Sequence, residues 1–421
     1  MVAIPREIVP FVVSAPGKVI LFGEHAVVYG KTAIAGSLNM RAYALVTPRS
    51  DSRARLLLPD IDVDVTFNTQ ELPKLQRDSL AHPSDVEKQL GHIDVPEGPG
   101  RMAVLTFVYL FGCLLSGSST TGFTVCVRSL LPVGSGLGSS ASFNVALAAA
   151  LLQLNGQLRA NAESPEDRRL INDWAFAGEQ VAHGTPSGID NSVATYGGFL
   201  AYTKGSEPQN LHSQRALRVI ITNTNVPKST KALVAGVRVL RNAHATVVDG
   251  ILESIHNVAL SAMSLFESSS KDSTIEPQLQ DIIRLNHGLL STLGVSHPSL
   301  ERIRDITGAR GLASKLTGAG GGGCALTLIP SDIAEDTVEL VKRELAEEGF
   351  QCYQTVVGSA GVTVTRTVGN EPVQAWIGNM LSRNLSLAPD TNSNSEDPFG
   401  GIVSAFAILP DAAIARLAPS F

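Results

Sequence analysis

The most informative segment of this 421-residue chain is Leu131–Ser140, LPVGSGLGSS, which runs directly into the apolar stretch Asn144–Leu154, NVALAAALLQL. That stretch has high helix propensity and no helix breaker, so it predicts a helix beginning at the last two serines of the segment. Three glycines, Gly134, Gly136 and Gly138, let the backbone turn sharply and approach a ligand closely. A glycine-rich loop that leads into a helix presents free N–H groups and the positive end of the helix dipole. The segment predicts a phosphate-binding loop, and the alternative is an ordinary glycine-containing loop.

The composition excludes several classes of protein. The chain is 44% hydrophobic with a net charge of −6, and it has no basic stripe with interleaved aromatic residues. We therefore expect neither a nucleic-acid partner nor a membrane partner. The four cysteines show no C-x-x-C spacing, which predicts free thiols in a reducing compartment. The N-terminus lacks an uninterrupted apolar core and no apolar run reaches about 20 residues, so the sequence predicts a cytoplasmic protein.

Secondary-structure signals along the chain predict an α+β protein of two domains. Short strands are expected at Val12–Val13 and Lys18–Phe22, separated by a turn at Pro16-Gly17, and the texture becomes helix-rich near residue 216. Helices are expected over Met102–Leu114, Leu170–Ala182, Lys231–Phe266, Gln278–Leu293 and Asp336–Glu348. We predict an N-terminal domain over 1–215, a C-terminal domain over 216–384, and a flexible linker with a terminal extension over 385–421.

Two further segments are rich in glycine. The first is Ser14–Gly30, SAPGKVILFGEHAVVYG, and the second is Lys315–Cys324, KLTGAGGGGC, with four consecutive glycines. Glycine loses much backbone entropy wherever it is ordered, so such a run needs a reason. It is either a flexible linker or a place where the backbone contacts a ligand or another chain segment.

Taken together and in this order, the three segments resemble the GHMP small-molecule kinases, and within them the eukaryotic-type mevalonate kinases. Residues 174–198, WAFAGEQVAHGTPSGIDNSVATYGG, and 223–238, NTNVPKSTKALVAGVR, carry the same resemblance. It covers about Phe11–Leu381, and the family pattern does not contain 385–421. Asp60 departs from it, because relatives often place an asparagine there near the nucleotide. The resemblance implies a two-domain α+β fold: an N-terminal S5-like βαβ domain, a C-terminal ferredoxin-like domain with added helices, and an active site in the interdomain cleft.

The resemblance also implies the reaction, which is phosphorylation of mevalonate by ATP with Mg²⁺ as cofactor, giving 5-phosphomevalonate for isoprenoid and sterol precursor synthesis. The implied nucleotide contacts are the glycine loop, the serine upstream of it and one lysine. They are Lys18, Ser129, Gly134, Ser135, Gly136, Leu137, Gly138, Ser139 and Ser140.

Two residues match the protein ligands of Mg²⁺. Ser140 stands at the expected helix start, where its alternative role is a plain N-cap worth about 1 kcal/mol. Glu179 lies in an otherwise small and apolar helical stretch, where a carboxylate is costly unless it is paired or bound to a metal. Its alternative is a solvated position on the helix face. Because Mg²⁺ needs only one or two protein oxygens beside phosphate and water, this pair is a sufficient set.

Two residues match the catalytic pair. Asp190 follows a glycine- and proline-shaped turn, and the family assigns the matching aspartate to the substrate hydroxyl as base. Lys18 would lie beside that hydroxyl and the phosphates, where a lysine keeps a carboxylate ionised and offsets phosphoryl charge. The alternatives are an Asx-turn or N-cap for Asp190 and a solvent-exposed strand end for Lys18.

The carboxylate and tertiary alcohol of mevalonate require cationic and polar groups. The matched candidates are Lys18, Glu24, His25, Asp190 and Thr230, with Tyr29 as a further one. His25 could equally be a buried, satisfied histidine. The glycines at 318–323 are expected to close over the transfer site from the second domain.

The resemblance further implies a homodimer and feedback inhibition by isoprenoid diphosphates. Two rival functions remain open. One is a kinase of the same family that acts on another small alcohol, such as galactose or phosphomevalonate. The other is a catalytically silent ligand sensor on the same fold.

Overall fold

The computed structural model describes residues 8–77, 97–98, 100–116, 122–132, 134–159, 162–211, 213, 216–268 and 275–366. The predicted extension over 385–421 lies outside the described residues. The strands are β1 Phe11–Phe22, β2 Thr32–Pro48, β3 Arg53–Leu58, β4 Val63–Asn68, β5 Phe123–Ser129, β6 Phe199–Thr203, β7 Gln209–Leu211, β8 Leu217–Asn223, β9 Ala313–Leu316, β10 Cys324–Leu328, β11 Gln351–Val357 and β12 Thr363–Arg366. The α-helices of the described part are α1 Arg101–Leu114, α2 Ser139–Leu154, α3 Pro165–His183, α4 Ile189–Tyr196, α5 Thr230–Ala243, α6 Ala245–Glu267, α7 Ile275–Thr292, α8 Pro298–Gly308 and α9 Glu335–Glu347.

The strands form one mixed sheet that runs through both halves of the chain. Its order is β4-β3-β5-β2-β11-β8-β10-β9, with β1 beside β2 and β12, and β6 beside β2 and β7. The described pairs are antiparallel except for β3 and β5. In the second half, β8, β9, β10 and β11 alternate with helices in the β-α-β-β-α-β order of ferredoxin-like folds, with three extra helices between β8 and β9. The two halves share the sheet through β2 and β11, where Leu38 faces Val357.

The glycine loop leads into a helix that is buried on all sides. In α2, every residue from Val145 to Leu152 is buried, because this helix packs on β1 and β2 with α1, α3 and α4 around it. A helix that is apolar all round belongs inside a core. The start of α2 is therefore fixed by packing, and the loop before it is held against the sheet.

Two expectations about the elements were wrong. Pro16-Gly17 is no turn: β1 continues through it with a register shift against β2, because a β-bulge takes up the irregularity. The expected helix over Lys231–Phe266 breaks at His244, whose backbone leaves the helical region (φ −137°, ψ 52°), so that α5 and α6 form two helices. A periodic pattern of apolar residues does not record such local breaks in the backbone.

Candidate active site

The glycine loop is attached to β1 at its tip. Gly134, Gly136 and Gly138 all have positive φ (74°, 81° and 78°), the region that favours glycine. The backbone N–H of Lys18 donates to the carbonyl of Leu137 at 2.8 Å. A methyl group on Gly138 would lie 3.2 Å from the Cβ of that lysine, so the two segments are in close contact. Helix α2 then begins at Ser139, as predicted, with no side-chain cap on its first N–H groups, which leaves them available to an anion.

The predicted catalytic residues are brought together. The Nζ of Lys18 lies 3.0 Å from Oδ1 of Asp190. Asp190 occupies the first turn of α4, which begins after Gly188 in a left-handed conformation (φ 78°). The lysine side chain is 8% exposed and the aspartate side chain is 38% exposed, so the carboxylate is the member of the pair that a ligand in the cleft can reach.

The two predicted metal ligands also meet. The hydroxyl of Ser140 donates to Oε1 of Glu179 at 2.8 Å, and the amide of Asn144 donates to the same oxygen. Nε2 of His183 lies 2.9 Å from Oγ of Ser140 and 4.0 Å from the second carboxylate oxygen, Oε2. The hydroxyl of Ser140 has one hydrogen and donates it to Glu179. Nε2 of His183 must therefore donate its own hydrogen to the oxygen of Ser140.

The donor set suits a hard cation. Glu179 and Ser140 supply oxygen ligands, which Mg²⁺ prefers. Two more oxygens beside them, Oδ1 of Asn144 and Oγ1 of Thr106, are buried and have no hydrogen-bond partner in the described part of the chain. Buried polar atoms are normally satisfied, so these oxygens are free to bond water around an ion. In the described ranges no group of three or more His, Cys, Asp or Glu side chains could hold a metal ion.

The second glycine loop, residues 317–323, closes against other chain segments. Gly318, Gly320, Gly321, Gly322 and Gly323 all have positive φ. A methyl group on Gly320 would lie 2.0 Å from the carbonyl oxygen of Val295, and the N–H of Gly321 donates to that oxygen at 2.8 Å. The glycine run is thus explained by backbone conformation and close packing, and the linker interpretation is wrong.

Lys228 lies between the two glycine loops, and our sequence analysis missed it. A methyl group on Gly136, on Gly318 or on Gly323 would lie within 4 Å of its Nζ. Burial lowers the pKa of this amine, and the nearby charge of Lys18 lowers it further. Among the described residues no ion pair or hydrogen bond engages Lys228. A lysine directly before a helix N-terminus opposes the helix dipole, and that was the available signal.

Other predicted residues are distributed around this centre. The hydroxyl of Ser135 donates to the carbonyl of Pro132 at 2.8 Å, inside the loop, and Oγ of Ser129 accepts from the N–H of Leu131 at 3.1 Å. Thr230 begins α5 and is exposed, next to the N-cap Ser229. None of these contacts assigns a ligand.

Glu24 and His25 are both buried behind the loops. Glu24 is 1% exposed and forms an ion pair with Lys315. Nε2 of His25 donates to the carbonyl of Ala319 at 2.9 Å, and burial lowers the pKa of this imidazole.

One cavity lies beside the first glycine loop, the Ser140–Glu179 pair and Asp190. Its volume is about 720 Å³. One end is lined by the first glycine loop, Ser140, Glu179 and Asp190, and the other end is apolar. The apolar end is formed by Leu58, Ile61, Met102, Ala103, Val127 and Phe143. Asp60 lies at that end, where one of its carboxylate oxygens bonds the N–H of Ser129 at 2.8 Å and the other lies 2.6 Å from Arg128.

This arrangement defines a class of protein. The apolar end of this cavity can accept a flat base, and the glycine loop and helix start at its other end can accept phosphates. A Lys–Asp pair stands where a hydroxyl could meet the terminal phosphoryl group. The fold and the site are those of a nucleotide-dependent phosphotransferase that acts on a small molecule.

Comparisons with known proteins agree with this class. The family model described as GHMP kinases N terminal domain matches residues 103–198, and GHMP kinases C terminal matches 276–350. Mevalonate kinase of Bos taurus is 40% identical over 373 residues, which cover 84% of this chain and 94% of that relative. Mevalonate kinase of Candida albicans is 38% identical over 387 residues, which cover 84% of this chain and 90% of that relative. The chain therefore belongs to the mevalonate kinase family of the GHMP kinases.

Solved structures share the fold. The Methanococcus jannaschii mevalonate kinase matches with a TM-score of 0.65 at 24% identity, over 84% of this chain and 100% of that one. The L. major mevalonate kinase in complex with R-mevalonate matches with a TM-score of 0.63 at 23% identity, over 83% of this chain and 96% of that one. The predicted two-domain GHMP kinase fold of the α+β class is confirmed. In the part of the chain that the structure describes, no helix is long and apolar enough to span a bilayer.

Proposed function

We propose that this protein transfers the γ-phosphoryl group of ATP to the 5-hydroxyl of mevalonate, giving 5-phosphomevalonate for isoprenoid and sterol precursor synthesis. ATP is the co-substrate of the family to which the chain belongs. The observation that carries the proposal is the contact of 3.0 Å between Lys18 and Asp190, beside a glycine loop, in a chain 40% identical to a mevalonate kinase.

In the proposed mechanism, phosphates lie on the N–H groups of the first glycine loop and of the start of α2. The nucleotide contacts are Lys18, Ser129, Gly134, Ser135, Gly136, Leu137, Gly138, Ser139 and Ser140. Asp190 accepts the proton of the attacking hydroxyl, and Lys18 keeps that carboxylate ionised and stabilises the transferring group. Mevalonate lies against Lys18 and Asp190, with His25 and Thr230 at the side of the second glycine loop. The base lies at the apolar end of the cavity.

Mg²⁺ is the proposed cofactor, held by Ser140 and Glu179. Bound there, it would neutralise negative charge on the phosphates. Asn144 and His183 fix the ligand side chains, since both contact the Ser140–Glu179 pair. Such supporting contacts orient ligands and raise metal affinity.

Glu179→Gln is expected to raise the Mg²⁺ concentration for half-maximal activity about tenfold or more, because an amide keeps the hydrogen bonds and loses the charge. Titration of Mg²⁺ at fixed ATP measures the change. Glu166→Gln, at an exposed position on the same helix, is the matched control and should leave the titration unchanged. An unaltered metal dependence in the Glu179 variant would remove this residue as a ligand.

Lys228 lies in the second half of the chain, and we propose that it binds the phosphoryl group during transfer. Lys228→Met is expected to lower kcat about 10- to 100-fold, because a positioned cation near developing charge is lost. Lys231→Met, at an exposed position of α5, is the control.

The pH profile gives a second readout of the same residue. Because burial lowers the pKa of Lys228, its charge is lost at a lower pH than that of an ordinary lysine. Activity should fall as the pH rises through the lowered pKa of Lys228. In Lys228→Arg this fall in activity should occur at a higher pH, because arginine keeps its charge. Unchanged kcat and KM in Lys228→Met would exclude the role.

The experiment that tests the function is a coupled ADP-release assay with Mg·ATP and four alcohols: mevalonate, phosphomevalonate, galactose and homoserine. Turnover with mevalonate alone is the expected result. Turnover with another alcohol would keep the kinase class and replace the substrate. No turnover with any of them, in protein that binds ATP, would favour a ligand sensor.

Further proposals rest on the family resemblance. They are a homodimer, inhibition by isoprenoid diphosphates that compete at the ATP site, and a cytoplasmic location. A diphosphate carries the same anionic groups as ATP, so the N–H groups of the glycine loop would accept either. The division into domains at 215/216, within the shared sheet, also stays a prediction.

A further inference from the structure

Two opposite charges are buried behind the active site, and the proposed mechanism uses neither. The side chains of Glu24 and Lys315 are both 0% exposed, and they form an ion pair. The other carboxylate oxygen of Glu24 accepts from the amide of Asn286 at 3.0 Å, and Lys315 also donates to the carbonyl of Leu316 at 2.7 Å. Neither charged residue lines the cavity that the first glycine loop, Glu179 and Asp190 border.

Stability alone does not explain such a pair. Removing two charges from water costs several kcal/mol each, and well-packed apolar residues often serve as well or better. Burial lowers the pKa of Lys315, and the charge of Glu24 and its hydrogen bond act in the opposite direction. The best-supported role of a buried ion pair is to favour one specific arrangement of the chain over alternative arrangements.

The pair connects the two parts of the active site. Glu24 lies two residues after the end of β1, the strand that carries Lys18, whereas Lys315 lies in β9, the strand directly before the second glycine loop. A second contact joins the same segments, because the hydroxyl of Thr317 donates to the carbonyl of Ile20 at 2.8 Å.

His25, the residue after Glu24, contacts the second glycine loop itself. His25 donates to the carbonyl of Ala319 and has a φ of 60°, which is rare and costly for a residue other than glycine. A strained backbone persists only where the surroundings hold it. Glu24, fixed by Lys315 and Asn286, supplies that restraint on one side of His25.

We infer that Glu24 is a positioning residue: its ion pair with Lys315 holds the second glycine loop in place against the Lys18–Asp190 contact, and it does not bind substrate. The inference rests on the proposed phosphotransferase function and deepens it. It replaces the expectation that Glu24 contacts mevalonate. A misplacement of about 1 Å in such a site can lower a rate about 100-fold.

A double-mutant cycle tests the inference with Glu24→Gln, Lys315→Met and the double variant. We expect each single variant to lower kcat about 10- to 100-fold while KM for ATP and for mevalonate changes less than about threefold. The double variant should be no slower than the slower single variant, because one connection is lost only once. Glu339→Gln with Lys342→Met, a partly exposed Lys–Glu pair at 2.6 Å on α9, is the matched control and should leave kcat unchanged.

Two outcomes would overturn the inference. A selective rise of KM for mevalonate in Glu24→Gln, absent from Lys315→Met, would make Glu24 a substrate contact. A lower melting temperature with unchanged kcat in all three variants would make the pair purely structural. If a single variant fails to fold because one charge stays buried without a partner, the double variant decides: a lowered kcat supports the inference and a wild-type kcat overturns it.

The cycle is run with whichever alcohol of the panel the wild-type protein phosphorylates. Failure of the proposed substrate therefore appears first, in the wild-type assay, and is distinct from failure of the positioning role. Binding of Mg·ATP, followed by calorimetry on the same variants, gives a readout that does not depend on the alcohol.

Discussion

Asp190→Asn is expected to lower kcat by about three orders of magnitude while the affinity for Mg·ATP stays within about threefold of the wild-type value. The amide keeps the size and polarity of the side chain and can still contact Lys18, but it cannot accept the proton of the attacking hydroxyl. Because Asp190 lies in the first turn of α4, outside the glycine loop, the phosphate-binding N–H groups should keep their places.

Steady-state ADP release measures kcat for this variant, and calorimetry with Mg·ATP measures binding. Asp332→Asn, at an exposed aspartate that does not line the cavity, controls for the loss of one negative charge. A variant with kcat near the wild-type value would show that the hydroxyl loses its proton without Asp190. A joint loss of catalysis and ATP binding would show that Asp190 acts on the nucleotide.

The elements of the fold that follow local rules were predictable from the sequence. The glycine loop and the apolar run after it predicted α2, and this helix begins at Ser139 as expected. The loop and Lys18 also lie together, because a positive-φ glycine run can approach β1 closely. These features depend on neighbours in the chain, which a periodic or turn pattern records.

Features that depend on distant partners were not predictable in the same way. Lys315 pairs with Glu24 across 291 positions of sequence, and nothing local distinguishes a lysine in a strand that will be fully buried. Motif position places Glu24 among the candidate substrate contacts, which stays a prediction, but motif position does not indicate its pairing with Lys315.

Lys228 is a second residue whose place in the site could not be predicted from local sequence. In the sequence, Lys228 belongs to the polar segment that precedes α5. Only the fold brings the amine of Lys228 to both glycine loops. Asn144 is similar, because it sits in an apolar helix where its amide bonds Glu179 of another helix. The role of a buried amide or amine in such a place becomes visible only when the fold shows what surrounds it.

Lys18→Met is expected to lower kcat about 100-fold or more, because the amine lies 3.0 Å from Asp190 and beside the glycine loop. Methionine keeps the length of the side chain, which is 8% exposed, so the fold should tolerate it.

Lys204→Met, at an exposed loop position, is the control for loss of one positive charge. Addition of Asp190→Asn to Lys18→Met separates two roles for the lysine. If Lys18 acts only by keeping Asp190 ionised, the double variant is no slower than Asp190→Asn alone, since the base is already absent. If it also stabilises the transferring phosphoryl group, as we propose, the double variant is slower still. A single Lys18→Met variant with kcat within threefold of wild type would exclude both roles and leave Lys228 as the cation at the phosphoryl group.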